Sequence, residues 1–288
     1  MPFGVRKLAK EADRIRVEFL DTVNRGDAAG ALRIGTERLL PVSEDLVARS
    51  NDYLNPLGVT LRNLSAICQQ LGRPIGQFHF AQRSFHVASR VSAHGLALHP
   101  GLADTGGIAA TIAGDLAGKG SPRQGALKAS DQQLLLPTAA LVPTSIELMG
   151  RIDSFPWACR MRLAATKLRM LSHRDLKMVD CESRAMVWLA RLALEQGDRR
   201  FATAEVKEAL LLWIDQLGST SRYWSTELQE TWTVAAEVLD SLGHRQAATS
   251  IRRAIHQATA GRQGTTSLSA LAGVLDLRQH YLATLSAF

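Results

Sequence analysis

Aromatic residues are scarce in this chain, at 6%, and it has three cysteines among 288 residues. It also has no apolar run approaching the roughly 20 residues a bilayer-spanning helix needs. Each shortage removes a class of protein. Cys68, Cys159 and Cys181 stand apart, make no Cys-x-x-Cys pair and, being odd in number, complete no disulfide framework, which suits a reducing compartment. The opening Met-Pro-Phe-Gly-Val-Arg-Lys leads into mixed charge without the apolar core of a signal peptide. Together these features predict a cytoplasmic protein with no membrane partner. Long runs of valine, isoleucine and threonine are missing too, whereas alanine and leucine are abundant, so propensity favours helix nearly throughout. With 46% hydrophobic residues, the chain can bury a sizeable core as one elongated domain or as two lobes.

Apolar residues recur at helical spacing. Ile15, Phe19, Leu20 and Val23 form a stripe ending at Gly26-Asp27, and a second helix from Ala28 is expected to stop against Pro41. A short helix capped by Ser43-Glu44-Asp45 and a break at Asn55-Pro56 follow. Leu61, Leu64, Ile67, Cys68 and Leu71 form the next stripe, closed by Gly72, and Phe78, Ala81, Phe85 and Ala88 the one after Pro74. Glycines crowd residues 95–127, which predicts a loop or linker with at most a weak helix over 108–116. Pro137 and Pro143 should punctuate two short helical pieces. Helices are then expected near 158–171, 180–196, 203–217, 225–242, 246–258 and 267–285. The resulting division is an N-terminal helical lobe over 1–94, a linker over 95–127 and a C-terminal helical-repeat lobe over 128–288.

Large and small residues alternate in the last lobe. Trp232, Ala235, Ala236, Leu239, Gly243 and Ala248 place a bulky side chain one turn before small ones, then a turn glycine, then an alanine that lets a second helix approach. Met186, Leu189, Ala190, Gly197, Asp198, Ala202, Val206 and Ala209 repeat the scheme. Asn63-Leu64-Ser65 with Leu71-Gly72, and Gly26-Asp27 with Ala31, carry fragments of it. This pattern resembles the tetratricopeptide-repeat family. The resemblance implies antiparallel helical hairpins stacked as an α-solenoid, in one stack or two lobes, that hold a protein or peptide in a groove without a cofactor. The turn glycines 26 and 72, and again 197 and 243, are 46 residues apart, longer than the roughly 34 of that family, and Gln77 replaces the alanine expected after Gly72. In the family the first helix of each hairpin lines the groove. The matching positions are Arg62, Gln69, Arg184, Arg191, Glu230, Thr233, Glu237 and Asp240. The lysine-and-asparagine pattern that clamps a peptide carboxylate in some relatives is not reproduced.

Signals for catalysis or metal binding are weak. Residues 114–121 hold glycines and a lysine, but Ala113 and Gly120 stand where a phosphate loop needs a glycine and a hydroxyl. His79, His86 and His94 lie seven and eight apart with no acidic or thiolate companion, so they are expected on a polar surface or groove rather than on a metal. No Gly-x-Ser-x-Gly turn appears. An enzyme with a site on the glycine-rich loop is the third reading. Charge offers the second. The net charge is +7, and Arg160, Arg162, Lys167, Arg169, Arg174 and Lys177 form a basic stretch in which Arg160, Lys167 and Arg174 share one side of a continuous helix. Such a stripe suits nucleic-acid phosphates, in a nucleocapsid-like or regulatory role. The acidic residues over 205–240 supply an alternative, in which the two stretches face each other across adjacent hairpins. Self-association is compatible with either reading.

Overall fold

The computed structural model describes residues 3–118, 128–150, 155–171, 176–217 and 226–260, and among these every regular element is helical. The protein is all-α. It divides into two compact units, Met1–Leu148 and Met149–Phe288.

The first unit comprises α1 (Phe3–Asn24), α2 (Ala28–Ile34), α3 (Leu40–Arg49), α4 (Leu54–Gln70), α5 (Pro74–Ala93), α6 (Thr105–Gly118), α7 (Ala129–Gln132) and most of α8 (Leu135–Gly150). Ile15 and Phe19 of α1 pack with Leu54, Leu57, Leu61, Leu64 and Ile67 of α4, and α4 packs along α5. Pro41 does not end the second helix. A π turn over Gly35–Leu39 carries α2 into α3, and Pro41 sits in the first turn of α3. A proline ring clashes with the carbonyl four residues back in a regular helix, and the wider turn relieves that clash. Helix α8 likewise runs through Pro143 instead of forming two pieces. Burial of Leu135, Ala139, Val142 and Ile146 offsets a lost hydrogen bond costing about 3 kcal/mol.

The expected linker over 95–127 contains helix α6, which packs on α5. Its glycines let helices approach: a Cβ on Gly106 would stand 2.9 Å from the Phe85 ring. Ala109, Ala110, Ile112 and Ala113 are buried on the same helix. The loop before it is pinned by Asn55, whose Nδ2 donates to the Ala97 carbonyl (2.8 Å) while its Oδ1 accepts from the His99 N–H (2.9 Å). The boundary between compact units therefore falls at 148/149 and not within the glycine-rich stretch.

The second unit holds α9 (Phe155–Leu171), α10 (Leu176–Glu195), α11 (Arg199–Leu217), α12 (Thr226–Leu242) and α13 (Arg245–Ala260). Helices α10 and α11 fold back on each other, as do α12 and α13, while α9 and α12 both pack along α10. Ala190, Ala202, Ala209, Ala235, Ala236 and Ala248 are buried where these rods meet, around Trp213 and Trp232. The Trp213 indole N–H donates to Ser183 Oγ across the α10–α11 contact.

Both turns have one construction. Gly197 (φ 83°) donates to the Leu194 carbonyl and Asp198 to that of Ala193, and Gly243 (φ 94°) and His244 repeat these bonds on Asp240 and Leu239. This is the left-handed helix stop that glycine adopts without a Cβ penalty. Gly26 and Gly72 end α1 and α4 in the same way. Asp198 then caps α11 by accepting from the Phe201 N–H (2.9 Å), as Asp27 caps α2 through Gly30 (2.8 Å). The helix expected over 267–285 lies outside the described residues.

Candidate functional site

Two neighbouring helices of the second unit carry six of the expected groove residues. Arg199, just past the turn that ends α10, donates to the Ser241 carbonyl at the end of α12 (3.2 Å). In earlier turns Arg184 Nη2 approaches Glu230 Oε2 (3.7 Å). The two helices therefore lie side by side and run in the same direction. Seven residues farther along each, about 10 Å of helix rise, come Arg191 and Glu237. Arg191 lies over the Trp188 ring, 5.3 Å from its centroid, and it also meets Glu195 at 3.4 Å. Thr233 and Glu237 are exposed, while Asp240 is partly covered and paired with Arg252 of α13.

The arrangement is a cationic rail on α10 beside an anionic rail on α12. The rails occupy equivalent positions, since 184 and 191 stand as far before Gly197 as 230 and 237 do before Gly243. Turn-glycine offsets did not single out Trp188. The spacing Lys177, Cys181, Arg184, Trp188, Arg191, alternating four and three residues on the side of α10 away from its buried alanines, was the signal available for it. Rails of opposite sign, partly exposed and only loosely bridged, can recognise charged side chains of a partner through hydrogen-bonded ion pairs.

Arg162 and Arg169, two of the six cations of the basic stretch, pair with acids within the unit. Arg162 Nε donates to Glu205 Oε2 (3.0 Å), its Nη2 to Glu208 Oε2 (2.7 Å) and its Nη1 to Thr166 Oγ1 (3.0 Å). Arg169 pairs with Glu182, which is 1% exposed. Lys167 is 8% exposed, whereas Arg160 and Lys177 are exposed, so Arg160 and Lys167 do not form one solvent-facing stripe. Helix α9 ends at Leu171, and Arg174 lies outside the described residues. Between the basic and acidic stretches, Arg162 of α9 supplies a link, meeting Glu205 and Glu208 of α11.

Arg62 and Gln69 belong to the first unit. Gln69 is exposed, and Arg62 approaches Asp104 of the loop before α6 at 3.7 Å. The histidines separate by environment. His79 is buried, against expectation, with its Nδ1 3.0 Å from Thr138 Oγ1. Burial, reinforced by the charge of Arg83, pulls its pKa down to about 3. His86 is partly covered and shifted down for the same leading reason, and His94 is exposed. Residues 114–118 are helical, and the rest of the glycine-lysine run lies outside the described residues. Among the described residues no three His, Cys, Asp or Glu side chains gather as a metal-holding group, and no helix is long and apolar enough to cross a membrane.

The chain matches no protein-family model and no curated protein.

Proposed function

We propose that this protein is a cytoplasmic binding module of stacked, tetratricopeptide-like hairpins, whose α10–α12 face holds a protein or peptide segment for assembly or regulation. The single observation carrying this reading is the pair of parallel helices joined by Arg184 and Glu230, with partly exposed polar positions along α10 and exposed ones along α12. A face made of rigid helices loses little conformational freedom on binding, so its hydrogen bonds and ion pairs are spent on the partner. The nucleic-acid reading has less support, because Arg162 and Arg169 already serve glutamates and Lys167 is buried.

The test is a photo-cross-linking residue in place of Thr233, exposed midway along α12. The expected result is an adduct with another protein in native extract, reduced at least several-fold by Arg184→Ala/Arg191→Ala. An adduct of undiminished yield in the double variant would remove this face from the function.

A further inference from the structure

We infer that the α10–α12 face also binds a second copy of this chain, forming a two-fold dimer by matching the cationic rail of each copy to the anionic rail of the other. The inference rests on the proposed working face but names an occupant beyond a foreign peptide. A closed pair of identical chains needs a surface complementary to itself. This face has that property. Arg184 and Arg191 stand on one helix, Glu230 and Glu237 on its parallel neighbour, and Arg184 is level with Glu230.

Two ways of laying one copy face-down on another keep the helices aligned. A two-fold axis perpendicular to the helices and lying in the face puts α10 over α10 and α12 over α12, so like charges meet. A two-fold axis parallel to the helices puts α10 over the second copy's α12. It also preserves height along the helices, so Arg184 meets Glu230 of the second copy and Arg191 meets its Glu237. Charge selects the second arrangement. Neutralisation within the chain is partial: Arg191 shares Glu195, Asp240 shares Arg252, and Glu230 is 61% exposed with a 3.7 Å approach to Arg184. Two helices of 20 and 17 residues cover a face of about 30 by 20 Å. That area is somewhat below the ~800 Å² per partner of a standard stable interface, so the dimer is weak and salt-sensitive.

The experiment is sedimentation equilibrium of the full chain with two charge-reversed variants, Arg184→Glu/Arg191→Glu and Glu230→Arg/Glu237→Arg. Helical content and thermal midpoint are checked for both. Wild type is expected to dimerise at low salt and dissociate at least tenfold more readily as salt rises from about 50 to 500 mM. Each variant alone should be monomeric, because like rails then oppose. An equimolar mixture of the two should dimerise again, since every cationic rail meets an anionic one. This rescue cannot come from misfolded chains. Wild type that stays monomeric at low salt, or folded variants whose mixture does not associate, would overturn the dimer. A monomeric wild type still cross-linked to another protein through position 233 would overturn the dimer and leave the peptide groove standing. Loss of both would remove the face altogether.

Discussion

Arg162 Nε lies 3.0 Å from Glu205 Oε2, and that contact ties α9 to α11 across 43 residues of sequence. Both side chains are nearly covered, at 12% and 13% exposed. Burial pushes the Glu205 carboxyl above the usual carboxylate range, and Arg162 opposes that shift. Removing the guanidinium leaves a buried acid without its cation. Arg162→Ala is therefore expected to destabilise the second unit by about 2–3 kcal/mol, with Arg162→Lys in between because an ammonium cannot reproduce the fork. Glu208→Ala, on the exposed arm, should cost below about 1 kcal/mol. Urea unfolding of the three variants checks the ordering, and equal effects at 162 and 208 would contradict it.

Gly35 tests the π turn. A Cβ there would stand 2.5 Å from Leu64 Cδ2 and 3.0 Å from Phe19 Cε2. Both neighbours are fully buried, so neither has room to retreat. Gly35→Ala should lower stability by about 1–3 kcal/mol through overpacking, despite alanine's better helix propensity. Gly4→Ala, with open space around its Cβ, is the control and should be neutral or slightly stabilising. A stabilised Gly35→Ala protein would mean that α1 and α4 do not close on this turn.

The sequence made the hairpins of the second unit legible because bulky, small and turn residues all served one packing rule. Gly197 and Gly243 take the left-handed conformation their position suggested. It misled where local propensity lost to burial: the glycines of α6 allow contact with Phe85, and Pro143 lies within a helix whose apolar side is covered. Turn-glycine offsets mark positions 184 and 191 on α10 and 230 and 237 on α12. The use of Arg162 and Arg169 was harder to see, because a run of like charges does not reveal acids 13 to 46 residues away. His79 was hidden for the same reason, since its partner Thr138 lies 59 residues on.

Acid should weaken the fold through His79. Its folded pKa, about 3, lies below the ordinary 6.5, so between these values the unfolded chain binds a proton that the folded chain excludes. Stability from this group is complete above about pH 6.5 and is lost as pH falls toward 3, by up to about 1.4 kcal/mol per pH unit. His86, also shifted down, adds in the same direction. Asp131 and Glu205, shifted up by burial, act with the opposite sign just above the carboxylate range. His79→Gln, which retains a hydrogen-bonding side chain for Thr138, should flatten the slope of stability against pH between 5 and 6.5. An unchanged slope in urea titrations would show that His79 is not the group excluding the proton.

Cys68 offers a probe of the first unit. The thiol is buried against Gly76 of α5, where a Cβ would stand 3.0 Å from its sulfur. Burial, with Asp131 nearby, pushes its pKa up to about 12. At pH 8 it is neither ionised nor accessible, and the thiolate is the reactive form. Cys159 and Cys181 are partly exposed, although burial also raises the Cys159 thiol. In native protein a maleimide should therefore modify positions 159 and 181 over minutes to hours and leave Cys68 untouched, as read by mass mapping of peptides. Labelling of Cys68 should begin only in denaturant, following the loss of the α4–α5 contact. Modification of Cys68 as fast as of Cys159 in buffer alone would mean that this hairpin opens readily, and the rigid packing described for α4 and α5 would have to be abandoned.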